Sequence, residues 1–288
     1  MSVLPFAQDK SVGGERQVVL LNRYPTLFAP FYEKHWKTLS VIALATLLFL
    51  YGVLTLGVSP SKIFFGLGEL AVMVMRMFPP DAHQFNSYLY AIAETLAIAL
   101  LGTLSAAVVA FPLGFLAARN TTINRVVHFF ARRSFDTLRG IDILIWALIW
   151  INVVGLGPFA GVLALFMSDV GVFGKLFSEA IEAADQKPVE GVLSTGGTHA
   201  TSVRFGILPQ VMPILLSQVL YAFESNTRSA SIIGIVGAGG VGLILSEQIR
   251  TMELQQLSCV ILMILVTVAL IDFFCSKIRF AIIGKQAL

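Results

Sequence analysis

The residues with most chemistry to offer stand in one short stretch. Glu224, Ser225, Asn226, Arg228 and Ser229 lie directly before a run containing Gly234, Gly237, Gly239, Gly240 and Gly242. An acid, an amide and a guanidinium at this spacing allow two readings. In the first, Arg228 offers a planar fork of donors to an anion, and Ser229-Ala230-Ser231, placed just before a helical stretch, presents free backbone N–H groups to the same anion. In the second, Glu224 and Arg228, four residues apart with the acid first, simply pair on one helix face. The residues alone leave both open.

Other constellations fail on their context. Gly237-Ala238-Gly239-Gly240-Val241-Gly242 satisfies GxGxxG, but a dinucleotide site needs alternating strand and helix and an acid about 20 residues on. Glu253 is too near and Asp272 too far, so close backbone approach at a sharp turn is the better reading. No GxxxxGK[ST] run exists, so this chain is not expected to hydrolyse ATP. His35, His83, His128 and His199 are scattered without metal-ligand spacing. Cys259 and Cys275 sit in apolar runs with no CxxC, which suggests neither a disulfide framework nor a zinc site. A membrane enzyme would need ionisable groups converging at mid-depth, and Glu94, Asp142, Asp169 and Asp272 fall near the expected span ends. No metal or cofactor is expected in this chain.

The elements that must position Glu224 and its neighbours follow from composition. Of the 288 residues, 56% are hydrophobic and 13% charged, against about 25% charged in a soluble domain. Mean hydropathy is +0.81. Disordered chains are polar and highly charged, the opposite of this composition. A net charge of +3 with dispersed basic residues gives no footprint for nucleic acid. The chain reads as an all-α integral membrane protein in contact with lipid.

Uncharged stretches of about 20 residues mark the spans. They run over 38–61, 95–118 (through Pro112), 135–155, 159–178, 205–223 and 254–271, with the third and fourth meeting in a hairpin at Gly155-Leu156-Gly157-Pro158. The first is too long and too far from the start for a signal peptide. The stretch 229–246 is also uncharged and long enough. Lys and Arg favour cytoplasmic loops, and Arg119, Arg125, Arg132, Arg133 and Arg139 face only Asp136 in the 119–139 loop, while Lys277, Arg279 and Lys285 follow the last span. Six spans put both termini, the 119–139 loop and the 179–205 loop inside, whereas seven would expel the basic tail. The glycine-rich 229–246 stretch is therefore expected to be a re-entrant or broken segment on the outer side, lining a cavity. Residues 58–88 are expected to carry an outer interfacial helix. The chain divides into a cytoplasmic arm 1–37, the first span with its outer segment 38–88, a core 89–280, and a cytoplasmic tail 281–288.

The core holds one long polar inside loop, 179–205. Pro188 and Glu190 suit the first turn of a short helix, Gly196-Gly197 end it, and a second short helix follows from Thr198. Two short helices at an angle make a projecting knob; an ordinary solvated connector is the alternative.

Glu190 six residues before Gly196, and Ile207-Leu208-Pro209 beyond it, resemble the EAA loop of ABC-importer permeases, although Gly191-Val192 replace the two alanines. Glu182-Ala183-Ala184 matches the letters better, but Pro188 stands where the glycine belongs. The stretch YAFESNTRSASIIGIVGAGGVG, with PVEGVLSTGG and FGILPQVMP before it, resembles the permeases of phosphonate ABC importers over about 188–242. The span pattern from about 90 to 280 fits the same family; the first 90 residues carry no specific resemblance. The resemblance implies a six-span permease that works as a homodimer with one pathway at the subunit interface. Two cytoplasmic ATPase subunits carry ATP and magnesium, and a periplasmic phosphonate-binding protein delivers the anion. It assigns Glu190, Gly191, Gly196, Gly197, Ile207, Leu208 and Pro209 to docking on the ATPase. Glu224, Ser225, Asn226, Arg228, Ser229 and the glycines Gly237, Gly239, Gly240 and Gly242 are then the expected path or gate. Phosphate, phosphite or another oxyanion is the alternative cargo.

Overall fold

The computed structural model describes residues 36–57, 59–122 and 124–284. Nearly all of the expected amino-terminal arm and residues 285–288 of the expected tail lie outside the described residues. Those described form helices joined by turns and short connections, with no strand among them. Chain contacts divide the protein into a unit ending at Ala71 and a second from Val72 onward.

In the first unit, α1 covers Trp36–Thr55, and α2, Pro60–Arg76, begins there. No residue in the apolar window of α1 is buried, as expected of a helix whose side chains meet lipid or another chain. Within 58–88, where an interfacial helix is expected, the chain does form a helix, α2, whose described side chains are exposed up to Arg76.

The second unit is a bundle of α3 (Phe85–Ala117), α4 (Arg125–Gly140), α5 (Ile143–Val154), α6 (Pro158–Glu182), α7 (Gln186–Ser194), α8 (His199–Ser202), α9 (Leu208–Ile235), α10 (Val241–Thr251) and α11 (Leu254–Gly284). A π turn over Val203–Ile207 joins α8 to α9. Its central pair is α3 against α6. Gly102, Ala106, Ala110 and Gly114 fall four apart and form a smooth stripe on α3. A Cβ added at Gly102 would stand 2.6 Å from Leu165 Cβ, and one at Gly114 2.9 Å from Phe177 Cβ. Without a hydrophobic drive inside lipid, helices associate through such close packing of small residues. Phe173 and Phe177 of α6 stack at 5.2 Å and complete this part of the core with Phe135, Ile207 and Val211.

Among the described residues five helices are long and apolar enough to cross a membrane, or six if α4 and α5, bent by 89° from each other, make one span. That agrees with six spans, but several bounds move. The expected 135–155 helix is broken: Ile141 and Asp142 leave the helix, and Asp142 caps α5 by accepting from Leu144 N at 2.9 Å. The fifth span does not stop at 223, because α9 runs on to Ile235. The sixth runs to Gly284 rather than ending at 271.

The bend has visible anchors. On α4, Phe135 lies over Gly174, where an added Cβ would run into its ring, and the Leu138–Arg139 backbone lies against Gly171. Lys175 donates to Asp136 at 3.0 Å and Arg132 to Glu182 at 3.1 Å. The basic, amphipathic α4 is thereby strapped to the last half of α6, and α5 turns away to pack on the first half.

Candidate functional site

The 179–205 loop forms the expected knob. Asp185 caps α7 by accepting from Lys187 N at 3.1 Å, so the helix starts two residues before Pro188. It ends at Ser194, and the chain reverses through Gly196, which has φ +86°. Gly196 N donates to Leu193 O at 3.0 Å and Gly197 N to Val192 O at 3.3 Å. Thr198 then caps α8. No residue of α7 is buried. Glu190 stands exposed, and Gly191 beside it is also open, with nothing within 4 Å of an added Cβ.

The root of the knob is held by a residue that sequence reasoning missed. Gln210 Oε1 accepts from Asp185 N at 3.0 Å, while its Nε2 donates to Asp185 O at 3.1 Å and to Gly206 O at 2.6 Å. One amide thus ties the entry of the knob to its exit. The expected docking residues separate here. Glu190, Gly191, Gly196 and Gly197 belong to the knob, whereas Ile207 is 2% exposed and belongs to the core. Leu208 and Pro209 open α9. Glu182 of the alternative Glu182-Ala183-Ala184 match closes α6 and accepts from Arg119 N and Arg132, below the knob.

Glu224, Asn226 and Arg228 are not at the end of a span. They lie within the second half of α9, because that helix continues through Ser229, Ala230 and Ser231 to Ile235. The backbone N–H groups at 229–231 are therefore inside a helix and not free for an anion. The Glu224–Arg228 pair forms, at 3.3 Å, and a second guanidinium joins it: Arg279 of α11 donates to the other carboxylate oxygen at 3.2 Å. The Glu224 side chain is only 9% exposed, against 48% for Arg228. A carboxylate at such depth needs partners, and two cations from two helices supply them. Nothing local in the sequence signals Arg279, since 55 residues separate it from Glu224.

Asn226 faces the other way. Its Nδ2 donates to Thr103 Oγ1 of α3 at 2.8 Å and to Asp169 Oδ2 of α6, so one buried amide joins three helices. Asp169, expected near a span end, is central in α6 because that helix extends to Glu182.

The glycine run breaks over residues 236–240 only, between α9 and α10. Gly237, Gly239 and Gly240 have φ of +105°, +83° and +72°, a region that L side chains avoid. The turn is pinned to the 155–158 hairpin and to α3: Gly157 N donates to Gly237 O at 3.0 Å and Val241 N to Thr95 Oγ1 at 2.8 Å. Gly242 lies backbone-to-backbone on Gly234. This is the close approach expected of these glycines.

The expected path residues therefore fall in separate places. A cavity of about 460 Å³ opens between α6 and α9, and only Ser225 and Asn226 of that set line it, together with Asp169, Gln218, Tyr221 and Arg279. A second, of about 500 Å³, shares Leu176 and Gln218 with it and leads toward Asp185 and Gln210. The two make one seam from mid-bundle to the root of the knob. Among the described residues no cluster of three or more His, Cys, Asp or Glu could hold a metal ion.

Residues 110–279 match the family of binding-protein-dependent transport system inner membrane components. The chain is 38% identical over 254 residues to a protein of Stutzerimonas stutzeri provisionally named a phosphite transport system permease, covering 88% of this chain and 89% of that one. A phosphate-import permease of Mycolicibacterium smegmatis is 35% identical over 78% of this chain, which spans 42% of that longer protein. A protein of Escherichia coli K12 provisionally named a cryptic phosphonate transport permease is 50% identical over 117 residues, 41% of this chain and 96% of that one. An inward-facing methionine ABC transporter shares the fold, with a TM-score of 0.59 over 67% of this chain and 95% of that one at 21% identity.

Proposed function

Because the chain belongs to the family of binding-protein-dependent transport inner membrane components, we propose that it is the permease of an ATP-driven importer for phosphonate-type anions. The names of its relatives support that cargo: phosphite, phosphate and phosphonate recur among them. The permease pairs with a second copy, receives its anion from a periplasmic phosphonate-binding protein, and is driven by two cytoplasmic ATPase subunits that bind ATP and magnesium. Both termini and the knob face the cytoplasm, in keeping with the basic 119–139 loop and tail.

The observation that carries the mechanism is the exposed α7 knob with its clamped root. Glu190 and Gly191 stand free on its surface, while Gln210 fixes both ends of the knob to α9. A load applied to the knob moves α9, and α9 carries Ser225 and Asn226 on the wall of the seam. Closure of the ATPase pair draws two knobs together, the α9 helices tilt, and the seam changes the side to which it opens. The glycine turn braces the opposite end, holding α9, α10 and the 155–158 hairpin together.

The test is reconstitution of the permease with its ATPase and binding protein in vesicles, measuring ATP-dependent uptake of methylphosphonate, phosphite, phosphate and sulfate. Saturable uptake of the phosphorus oxyanions is expected. Uptake of none of them by an assembled, ATP-hydrolysing complex would refute the cargo.

A further inference from the structure

The cavity beside Asn226 has a mixed lining that an anion path alone does not need. Arg279 reaches it from α11. Its guanidinium is held in place by one hydrogen bond to Glu224 at 3.2 Å and by the Tyr221 ring, whose centroid lies 5.6 Å from the guanidinium carbon. A guanidinium has five N–H donors, so most of the fork is available to a guest. Arg228 shares the Glu224 carboxylate, which leaves the charge of Arg279 only partly offset. The same cavity is lined by Asp169, 6% exposed and held by Asn226. A fully deprotonated oxyanion would be attracted by Arg279 and repelled by Asp169. An oxyanion that keeps one proton satisfies both, because its P–O⁻ oxygens accept from the guanidinium and its P–OH donates to the carboxylate.

We propose that this cavity is a binding site within the permease for a monoprotonated phosphorus oxyanion, with Arg279 meeting the charged oxygens and Asp169 accepting from the P–OH group. The inference rests on the transport reading and adds a selectivity to it. Ser217 and Ser225, also on the wall, supply hydroxyls that either give or take a hydrogen bond. Sulfate, which carries no proton near neutral pH, has the right shape and the wrong hydrogen-bonding pattern.

The test uses the permease–ATPase complex in phosphatidylcholine nanodiscs without binding protein. Line broadening in phosphorus NMR reports binding of methylphosphonate. Broadening is expected in the wild type, with equimolar sulfate failing to compete. Arg279→Gln leaves the Glu224–Arg228 pair intact and should weaken binding about tenfold or more, whereas Arg279→Lys should retain part of it. Asp169→Asn replaces the acceptor by a group that also donates, so sulfate should become a competitor. Absence of broadening in the wild type, unchanged binding in Arg279→Gln, or continued exclusion of sulfate by Asp169→Asn would each overturn the proposal. Should Arg279→Gln fail to assemble, Arg279→Lys and Asp169→Asn decide it. Displacement of methylphosphonate by phosphatidylglycerol, a phosphodiester with no P–OH, would make the cavity a lipid headgroup site and overturn it as well. Uptake by the full transporter is measured in parallel: methylphosphonate uptake without cavity binding refutes the site alone, and absence of all uptake refutes the transport reading.

Discussion

Replacing Gly196 separates a coupling knob from a mere connector, and the structure sets the size of the effect. Gly196 holds φ +86°, and an added Cβ there meets nothing within 4 Å. The penalty for a side chain is therefore backbone strain and not a clash, about 1–2 kcal/mol for an ordinary residue. Two hydrogen bonds close this turn, from Gly196 N and Gly197 N, each worth about 0.5–1.5 kcal/mol. Strain and restraint are thus comparable, so a substitution shifts the knob among conformations while leaving the buried bundle intact. Asparagine tolerates the left-handed region best, alanine less, and a β-branched valine least. Uptake per ATP hydrolysed and recovery of ATPase with the permease should fall in the order Gly196→Asn, Gly196→Ala, Gly196→Val. A loss of about 1–2 kcal/mol corresponds to about 5- to 30-fold in ATPase affinity. Yield of the permease in detergent should stay near wild type. A pure clash with the docked ATPase predicts another order, with Asn worse than the smaller Ala. Normal coupling in all three variants would reduce the loop to a connector.

Three further outcomes follow from named contacts. Gln210→Leu removes the bonds to Asp185 and Gly206; amide exchange should rise over 185–207, and ATP hydrolysis should persist with reduced transport, while an unchanged exchange pattern would remove the clamp from the mechanism. Asn226→Leu breaks two interhelical bonds at about 0.6 kcal/mol each and strands Asp169 at a cost of about 1–3 kcal/mol more; thermal stability of the detergent complex should fall, and Asp169→Asn combined with Asn226→Leu should recover part of it. For topology, a cysteine at Gln84 should react with an impermeant thiol reagent added outside and one at Thr122 only after permeabilisation, the reverse pattern inverting the assigned orientation.

Two kinds of information separate what the sequence discloses from what it hides. The knob is legible because caps and turns are local: Thr198 and the Gly196-Gly197 pair act on backbone within a few residues of themselves. The glycine turn is legible for the same reason, although the sequence places its start too early. Ser229-Ala230-Ser231 reads as the opening of a new helix, yet nothing there stops α9, and the first residue of the run with positive φ is Gly237. Hydropathy misplaces span ends wherever it fades before the helix does. Residues 224–231 are polar enough to end a lipid-facing helix, but Glu224 and Asn226 face protein, where Asp169, Thr103 and Arg279 meet them. Those partners lie 57, 123 and 55 residues away in sequence, and the pairing depends on how far each helix slides along its neighbour. The small-residue stripe of α3 sets that slide against α6, because Gly102 admits Leu165 and Gly114 admits Phe177 at contact too close for any side chain. The polar seam is thus a consequence of packing register. Its residues are individually ordinary in the sequence, and they become a site only when backbones approach closely enough to align Asn226 with Asp169 and Glu224 with Arg279.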